Sequence, residues 1–246
     1  MTTTWIVLAH PSGASFNAAW AQSSMDAASS AGDKVLVSDL VAMGFDPVER
    51  AAHYGLTSGG FDPLKAQESH SPPADVASEL DKLNAADRII LHFPIWWFGP
   101  PAVLKGWCER VLMHGHTHDT GHRFDAGRYR GKHVLFCVTT GSKASESGPD
   151  GREGNIDMLL WPLAMTFRYL GFDVLKPEIA HGVHGYHRGD RKVELETRLA
   201  AVLAAQSGLI AGLSQRDVIP FNADTDFDED GRLDADAPSL TPFIRR

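Results

Sequence analysis

Residues 88–113 read RIILHFPIWWFGPPAVLKGWCERVLM. The first six, RIILHF, form a short run without strict alternation of polar and apolar positions. Such a strand is buried on both faces, as in a parallel sheet covered by helices. The last thirteen, Pro101 to Met113, place apolar residues at helical spacing, with proline in the first turn. Between them stand Trp96, Trp97 and Phe98, followed by a Gly-Pro-Pro break. Turns are usually polar, because exposed rings leave apolar surface in water. An aromatic wall at a strand end suits a flat ligand; the same rings equally suit the core or a subunit interface.

Strand and helix alternate outward from this unit. WIVLA (5–9) predicts a strand, followed by the loop HPSGASFN (10–17) and an Ala-rich helix to Ser30. KVLVSDL (34–40) is a second strand. Residues 44–73, rich in Gly, Pro, Ser and His, read as a long excursion. A short amphipathic helix spans 75–86, and KHVLFCVTT (132–140) is the fourth strand. A helix over 156–170 carries Pro162, which implies a kink or a late start. FDVLKPEIA (172–180) is the fifth strand and 191–213 a long helix. The expected fold is α/β: a doubly wound, five-stranded parallel sheet of flavodoxin-like order 2-1-3-4-5. It occupies residues 1–213, and 214–246 form an extended C-terminal arm.

With 246 residues and 43% hydrophobic content, the chain can bury one large core. A net charge of -8 argues against a nucleic-acid partner, which needs clustered basic surface. It does not exclude a nucleotide, since a helix N-terminus holds phosphate with backbone N–H groups. Cys108 and Cys137 are too few for a disulfide framework and read as buried thiols. The N-terminus lacks the features of a signal peptide, and no apolar run approaches bilayer length, so a cytoplasmic protein without a membrane partner is expected.

Ligands of doubly wound sheets sit beyond the carboxyl ends of the strands. Three loops must meet there. His10–Asn17 offers small hydroxyl residues at a helix start, Pro94–Pro100 offers the aromatic wall, and Thr140–Gly154 is small and glycine-rich. A flavin ring is the natural flat candidate.

Together LAHPSGASFN (8–17), SDLVAMGFDP (38–47), FPIWWFGPPAVLKGWCERV (93–111), VTTGS (138–142) and LLWPL…GF (159–172) resemble the NAD(P)H:quinone oxidoreductase, DT-diaphorase-like family of flavoproteins. The resemblance implies FAD, with FMN as the alternative, NAD(P)H as co-substrate and a small-molecule electron acceptor. It also implies a homodimer with active sites at the subunit interface. By position, His10, Ser15, Phe16 and Asn17 would face the FAD diphosphate. Pro94, Ile95, Trp96, Trp97 and Phe98 would line the ring, and Thr139, Thr140, Gly141 and Ser142 would hold its polar edge.

The chain departs from the family at two places. A tyrosine and a histidine that stabilise the reduced flavin are replaced by Ser147 and Glu153, the candidate catalytic positions. Serine donates one hydrogen bond without phenolate character. On the substrate side, tyrosines are replaced by His118 and Thr120, beside Trp97 and Phe98. The acceptor pocket is then more polar and can titrate near neutral pH.

The implied activity is two-electron, ping-pong reduction of a quinone or similar flat acceptor. Its rivals are a flavin-binding regulatory subunit of a cation-efflux system and an FMN-dependent azo- or nitroreductase. His114, His116, His118 and His122 follow a helix and offer no second ligand pair, so a polar pocket mouth is preferred to a metal site. His181, His184 and His187 read as a surface loop, and Arg188 or Arg191 as possible partners of the adenine half of FAD. Asp226, Asp228 and Asp230 imitate the start of an EF-hand loop, but Ala237 occupies the position of the required glutamate. A solvated acidic turn is expected, and no metal is assigned.

Overall fold

The computed structural model describes residues 1–245. Six strands are present: β1 (Thr3–Leu8), β2 (Lys34–Asp39), β3 (Arg88–Pro94), β4 (His133–Thr139), β5 (Asp173–Val174) and β6 (Glu178–Ala180). The helices are α1 (Phe16–Ser30), α2 (Pro63–Ser69), α3 (Ala74–Ala85), α4 (Ala102–Val111), α5 (Ile156–Tyr169), α6 (Asp190–Ala204) and α7 (Gln206–Gly212). The sheet is parallel in the order β2-β1-β3-β4-β5, with β6 also paired to β4. Trp5 pairs with Ile89, and Ile89 with Val134.

Successive residues of a strand point to opposite faces, and here both faces are covered. Trp5, Val7, Ile89, Leu91, Phe93 and Phe136 pack with Leu83, Leu104, Trp107 and Phe167 from α3, α4 and α5. Ile6, Leu8, Ile90 and Leu135 pack with Trp20 and Ala21 of α1 and Ile210 of α7. This two-sided cover explains the absence of alternation in the strands.

Four local expectations need correction. The fifth strand is interrupted between Val174 and Glu178. Val174 pairs with Val134 and Glu178 with Cys137, so four residue steps run opposite three. The break contains Pro177, which has no N–H to donate and is tolerated at a sheet edge. Arg216 caps the freed carbonyls of Lys176 and Pro177 at 2.6 and 3.1 Å.

The long helix divides at Ala205 into α6 and α7. Even so, the helical run Asp190–Gln215 is long and apolar enough, by length and composition, to cross a membrane. Charges crowd its first turns, which masks the apolar character of the run in the sequence. Here it lies on α1, where Ser24 Oγ donates to Gln206 Oε1 at 2.9 Å and Ser23 Oγ to Leu203 O at 2.9 Å. The excursion 44–73 contains α2, capped by Asp62, whose carboxylate accepts from Lys65 N. Finally, α5 does not start late: it begins at Ile156 and runs on through Pro162.

After α7 the chain returns along α5. Ile219 N donates to Val174 O at 2.8 Å, and the Phe221 and Phe243 rings lie 5.2 and 4.8 Å from that of Trp161.

Candidate active site

The site is built where β1, β3 and β4 end. Leaving β3, Ile95 N donates to Thr139 O at 2.8 Å, so the chain stays tied to β4 one residue past the strand. It then reverses in two residues. Trp96 N donates to Gly99 O at 2.9 Å and Gly99 N to Trp96 O at 3.2 Å. Trp97 and Phe98 occupy the turn at φ +49° and +64°. A two-residue turn with both central φ positive is type I′, which favours Asn-Gly. Bulky side chains there are strained. The turn holds Trp97 96% and Phe98 58% exposed.

A cavity of about 470 Å³ opens beside this turn. Ile95, Trp97, Phe98, Ile156 and Leu159 form its apolar side, and Thr140, Gly141, Ser142 and Ser147 line it from the loop after β4. Glu146, Arg152 and Glu153 form its charged rim. Among the described residues, the N–H groups of Trp97, Phe98, Gly141 and Ser142 donate to no protein acceptor. Ser142 and Ser147 share a hydroxyl hydrogen bond of 2.7 Å, and Ser147 Oγ also contacts Lys143 O at 3.1 Å. Thr140 Oγ1 donates to Ser142 O at 2.9 Å and lies 3.1 Å from His181 Nδ1. Burial, with Arg198 second, lowers the pKa of His181.

The loop after β1 adjoins this cavity without lining it. Ser15 caps α1 by accepting from Ala18 N at 3.2 Å. The N–H groups of Phe16 and Asn17, in the first turn, have no intrahelical acceptor. His10 Nδ1 accepts from Ser12 N at 3.0 Å, and its ring lies 5.5 Å from Trp96, which is 44% exposed. The Phe16 ring lies against Trp20. Asn17 is buried; its Oδ1 accepts from Thr139 Oγ1 at 2.9 Å, and its Nδ2 has no partner. Thr139 pairs with Pro94 across β4 and β3. Backbone donors and a buried, unpaired amide at one helix start fit an anionic phosphate. The open space above Gly13 and Gly141 leaves room for close approach. The donor set therefore fits a flavin nucleotide.

A second cavity, about 800 Å³, shares Phe98 and Leu159 with the first. Its walls are α4 (Lys105, Cys108, Glu109), Leu112 just past its end, and α5 (Leu159, Leu163, Thr166, Tyr169). His118 lies here, with Nδ1 3.1 Å from Thr117 Oγ1 and its ring packed on His114 and Tyr169. Burial, then the neighbouring His114, lowers the His118 pKa. Burial also pushes the Cys108 thiol up to about 12. Thr120, expected beside His118, is exposed in the turn between Asp119 and His122 and lines neither cavity. That turn is closed by Asp119 accepting from Gly121 N and contacting His122 Nδ1.

Several lining residues escaped the sequence reading. Arg152 and Glu146 were passed over beside Glu153. Leu159, Thr166 and Tyr169 recur at helical spacing on α5, a stripe that could have been found. Gln67 and Leu64 come from α2, inside the 44–73 excursion. The remaining candidates lie elsewhere. Arg188 donates to Gly185 O and His187 O within its own loop. In the acidic tail, Asp228 Oδ1 accepts from the Asp230 and Arg232 N–H groups, which closes a hairpin. No three metal-ligating side chains converge among the described residues.

Residues 2–204 match a family model described as a flavodoxin-like fold. NAD(P)H dehydrogenase [quinone] 1 of Rattus norvegicus is 35% identical over 201 residues, covering 77% of this chain and 72% of the relative. Ribosyldihydronicotinamide dehydrogenase [quinone] of Mus musculus is 36% identical over 200 residues, covering 77% and 86%. A Klebsiella pneumoniae structure assigned as a quinone reductase superposes with a TM-score of 0.80 at 30% identity, covering 98% of this chain and 93% of that one. Strand order, loop content and these likenesses agree, and the chain belongs to the flavodoxin-like NAD(P)H:quinone oxidoreductase family.

Proposed function

We propose that this protein is a flavin-dependent NAD(P)H oxidoreductase that reduces a quinone or similar flat acceptor by two electrons in a ping-pong cycle. The carrying observation is the turn at Trp97 and Phe98. Two bulky residues are held at positive φ and exposed beside a cavity rimmed by unengaged N–H groups. A fold retains such strain where the displayed groups serve a purpose.

We take the flavin to be FAD, with FMN as the alternative. Two features support FAD. The start of α1 and Asn17 suit a diphosphate, and the loop after β6 extends the surface past Thr140 and Ser142. Val183 N donates to Thr140 O and Gly182 N to Ser142 O, both at 2.8 Å.

A bound flavin supplies the redox chemistry, taking two electrons from a reduced nicotinamide and passing them to the acceptor. The chain supplies binding and orientation. Trp97 and Phe98 offer flat faces for stacking. The N–H groups of Gly141 and Ser142 are free to donate to ring heteroatoms. The Phe98–Leu159 edge opens onto the larger cavity, where nicotinamide and acceptor take turns. His118 is kept neutral near pH 7 by its lowered pKa, and its Nδ1–H donates to Thr117 Oγ1, whose own proton goes to Met113 O; Nε2 is left to accept a hydrogen bond from a hydroxyl of the reduced product.

We further read the protein as a cytoplasmic homodimer. The two buried, free cysteines support a reducing compartment, and the largely apolar larger cavity supports a subunit contact nearby. Residues 1–213 are taken as the catalytic unit and 214–246 as its arm. A second reading, a flavin-binding regulatory subunit, is favoured by Ser147 and Glu153 standing where the family has tyrosine and histidine.

The test is chromatography of flavin released from purified protein, followed by NADH and NADPH oxidation with benzoquinone, azo and nitroaromatic acceptors. Bound FAD with rapid benzoquinone reduction is expected. Protein that holds no flavin, even after reconstitution, overturns the proposal. Bound flavin without turnover transfers it to the regulatory reading.

A further inference from the structure

The 470 Å³ cavity is lined by two chemically different sets of side chains: hydrocarbon from Ile95, Ile156 and Leu159, and polar or charged groups from Ser142, Ser147, Glu146, Arg152 and Glu153. A ring with an apolar edge and a carbonyl-and-nitrogen edge is best satisfied with its heteroatoms against the polar set. Two-electron reduction places negative charge on those heteroatoms, and nearby protein charge tunes the outcome.

Arg152 is the only cationic side chain among the described residues lining this cavity. Its guanidinium is held between two carboxylates, with Nη2 at 2.9 Å from Glu146 Oε1 and Nε at 3.6 Å from Glu153 Oε1. The first contact is a hydrogen bond and the second an ion pair only, so one of five N–H donors is engaged and the rest are left for a ligand. The scaffold is rigid. Glu146 accepts from Lys143 N at 3.1 Å, a bond that holds its carboxyl below the usual range and keeps it ionised. Glu153 N donates to Glu146 O at 3.0 Å, and Ile156 N to Ser147 O at 2.9 Å. Gly151 presses so closely on this loop that an added Cβ would lie 2.2 Å from Glu146 O. The neighbours cannot substitute for Arg152. The Ser147 hydroxyl is occupied by Ser142 and Lys143, and Glu153 has the wrong charge.

Resting on the flavin reading above, we propose that Arg152 supplies the positive charge at the heteroatom edge of the bound ring, in place of the missing tyrosine and histidine. Glu146 and Glu153 both oppose that charge and moderate it.

The test uses flavin-loaded protein and two readouts besides turnover: the midpoint potential of the bound flavin and its affinity for sulfite, a nucleophile whose addition leaves negative charge on the ring. R152M is expected to weaken sulfite binding about tenfold and lower the potential by about 30 mV, the two-electron equivalent of tenfold. R152K, which keeps the charge, should retain most of both. E153Q should move both readouts the opposite way from R152M. Unchanged potential and sulfite affinity in flavin-loaded R152M, or a same-sign shift in E153Q, overturns the proposal alone. Wild-type protein that binds no flavin overturns the flavin reading and this inference together.

Discussion

Trp97 and Trp107 lie ten residues apart in one strand–turn–helix unit and have opposite fates. Trp107 is fully buried on α4; its Nε1 donates to Glu79 Oε2 at 2.9 Å, and its ring meets that of Trp5 edge-on at 5.4 Å. Glu79, also fully buried, is satisfied further by Ser38 Oγ at 2.9 Å and Lys82 Nζ at 2.7 Å. Trp97 is almost wholly exposed on a backbone that disfavours it. One tryptophan lowers the energy of the fold; the other is retained against it. Residue type does not separate a core ring from a displayed ring. Backbone strain and hydrogen-bond satisfaction do.

The sharpest way to break this contrast is stability. Trp107→Ala should cost about 3–5 kcal/mol in chemical denaturation, since it leaves a cavity and strips a donor from buried Glu79. Trp97→Ala should stay within about 0.5 kcal/mol while flavin affinity falls. Comparable losses in both would erase the distinction.

A second test extends the buried side to His92, on the same strand. It is fully buried, edge-on to Trp20 at 5.5 Å, with neither ring nitrogen paired. Burial lowers its pKa from 6.5 to about 3. Below pH 6.5 the unfolded chain therefore binds a proton that the native state refuses, so stability falls with acidification until about pH 3. Between pH 7 and 5, wild type should lose about 2 kcal/mol more than His92→Leu. Parallel pH profiles would show that this histidine is not held neutral.

The exposed side is tested by relieving its strain. The double variant W97N/F98G places the preferred residues in the type I′ turn and should gain about 1–2 kcal/mol, with flavin retention lost. A less stable variant would show that the rings support the fold after all. The smallest effect is expected at Thr120, which lines neither cavity. Thr120→Ala should leave acceptor KM and stability unchanged, the latter within about 0.5 kcal/mol; a several-fold rise in KM would return it to the site.

Much of the fold was legible because its signals are local. The apolar runs at Trp5–Leu8, Ile89–Phe93 and Val134–Val138 carry their own cue for two-sided burial. Signals failed where a distant group compensates for a local defect. The break around Pro177 relies on Arg216, forty residues away along the chain from Lys176. Helix α2 is short and weakly patterned, and it is held partly by Gln67, which donates to Glu49 at 2.9 Å and to Glu109 O at 3.2 Å. The candidate site was legible by loop but not by side. Ile95, Trp97, Phe98 and Thr140–Ser142 line one cavity, whereas Asn17 and His10 stand at the adjoining helix start.

The amino-acid sequence alone determined the strand order and the three loops that meet beyond the sheet. Periodicity and turn chemistry act over a few residues and leave a trace in composition. Which tryptophan is displayed, which polar atoms go unpaired and which cation reaches the cavity were decided only in three dimensions. Those outcomes depend on long-range packing and on the sign of a backbone angle, and neither is written in any short stretch of the chain.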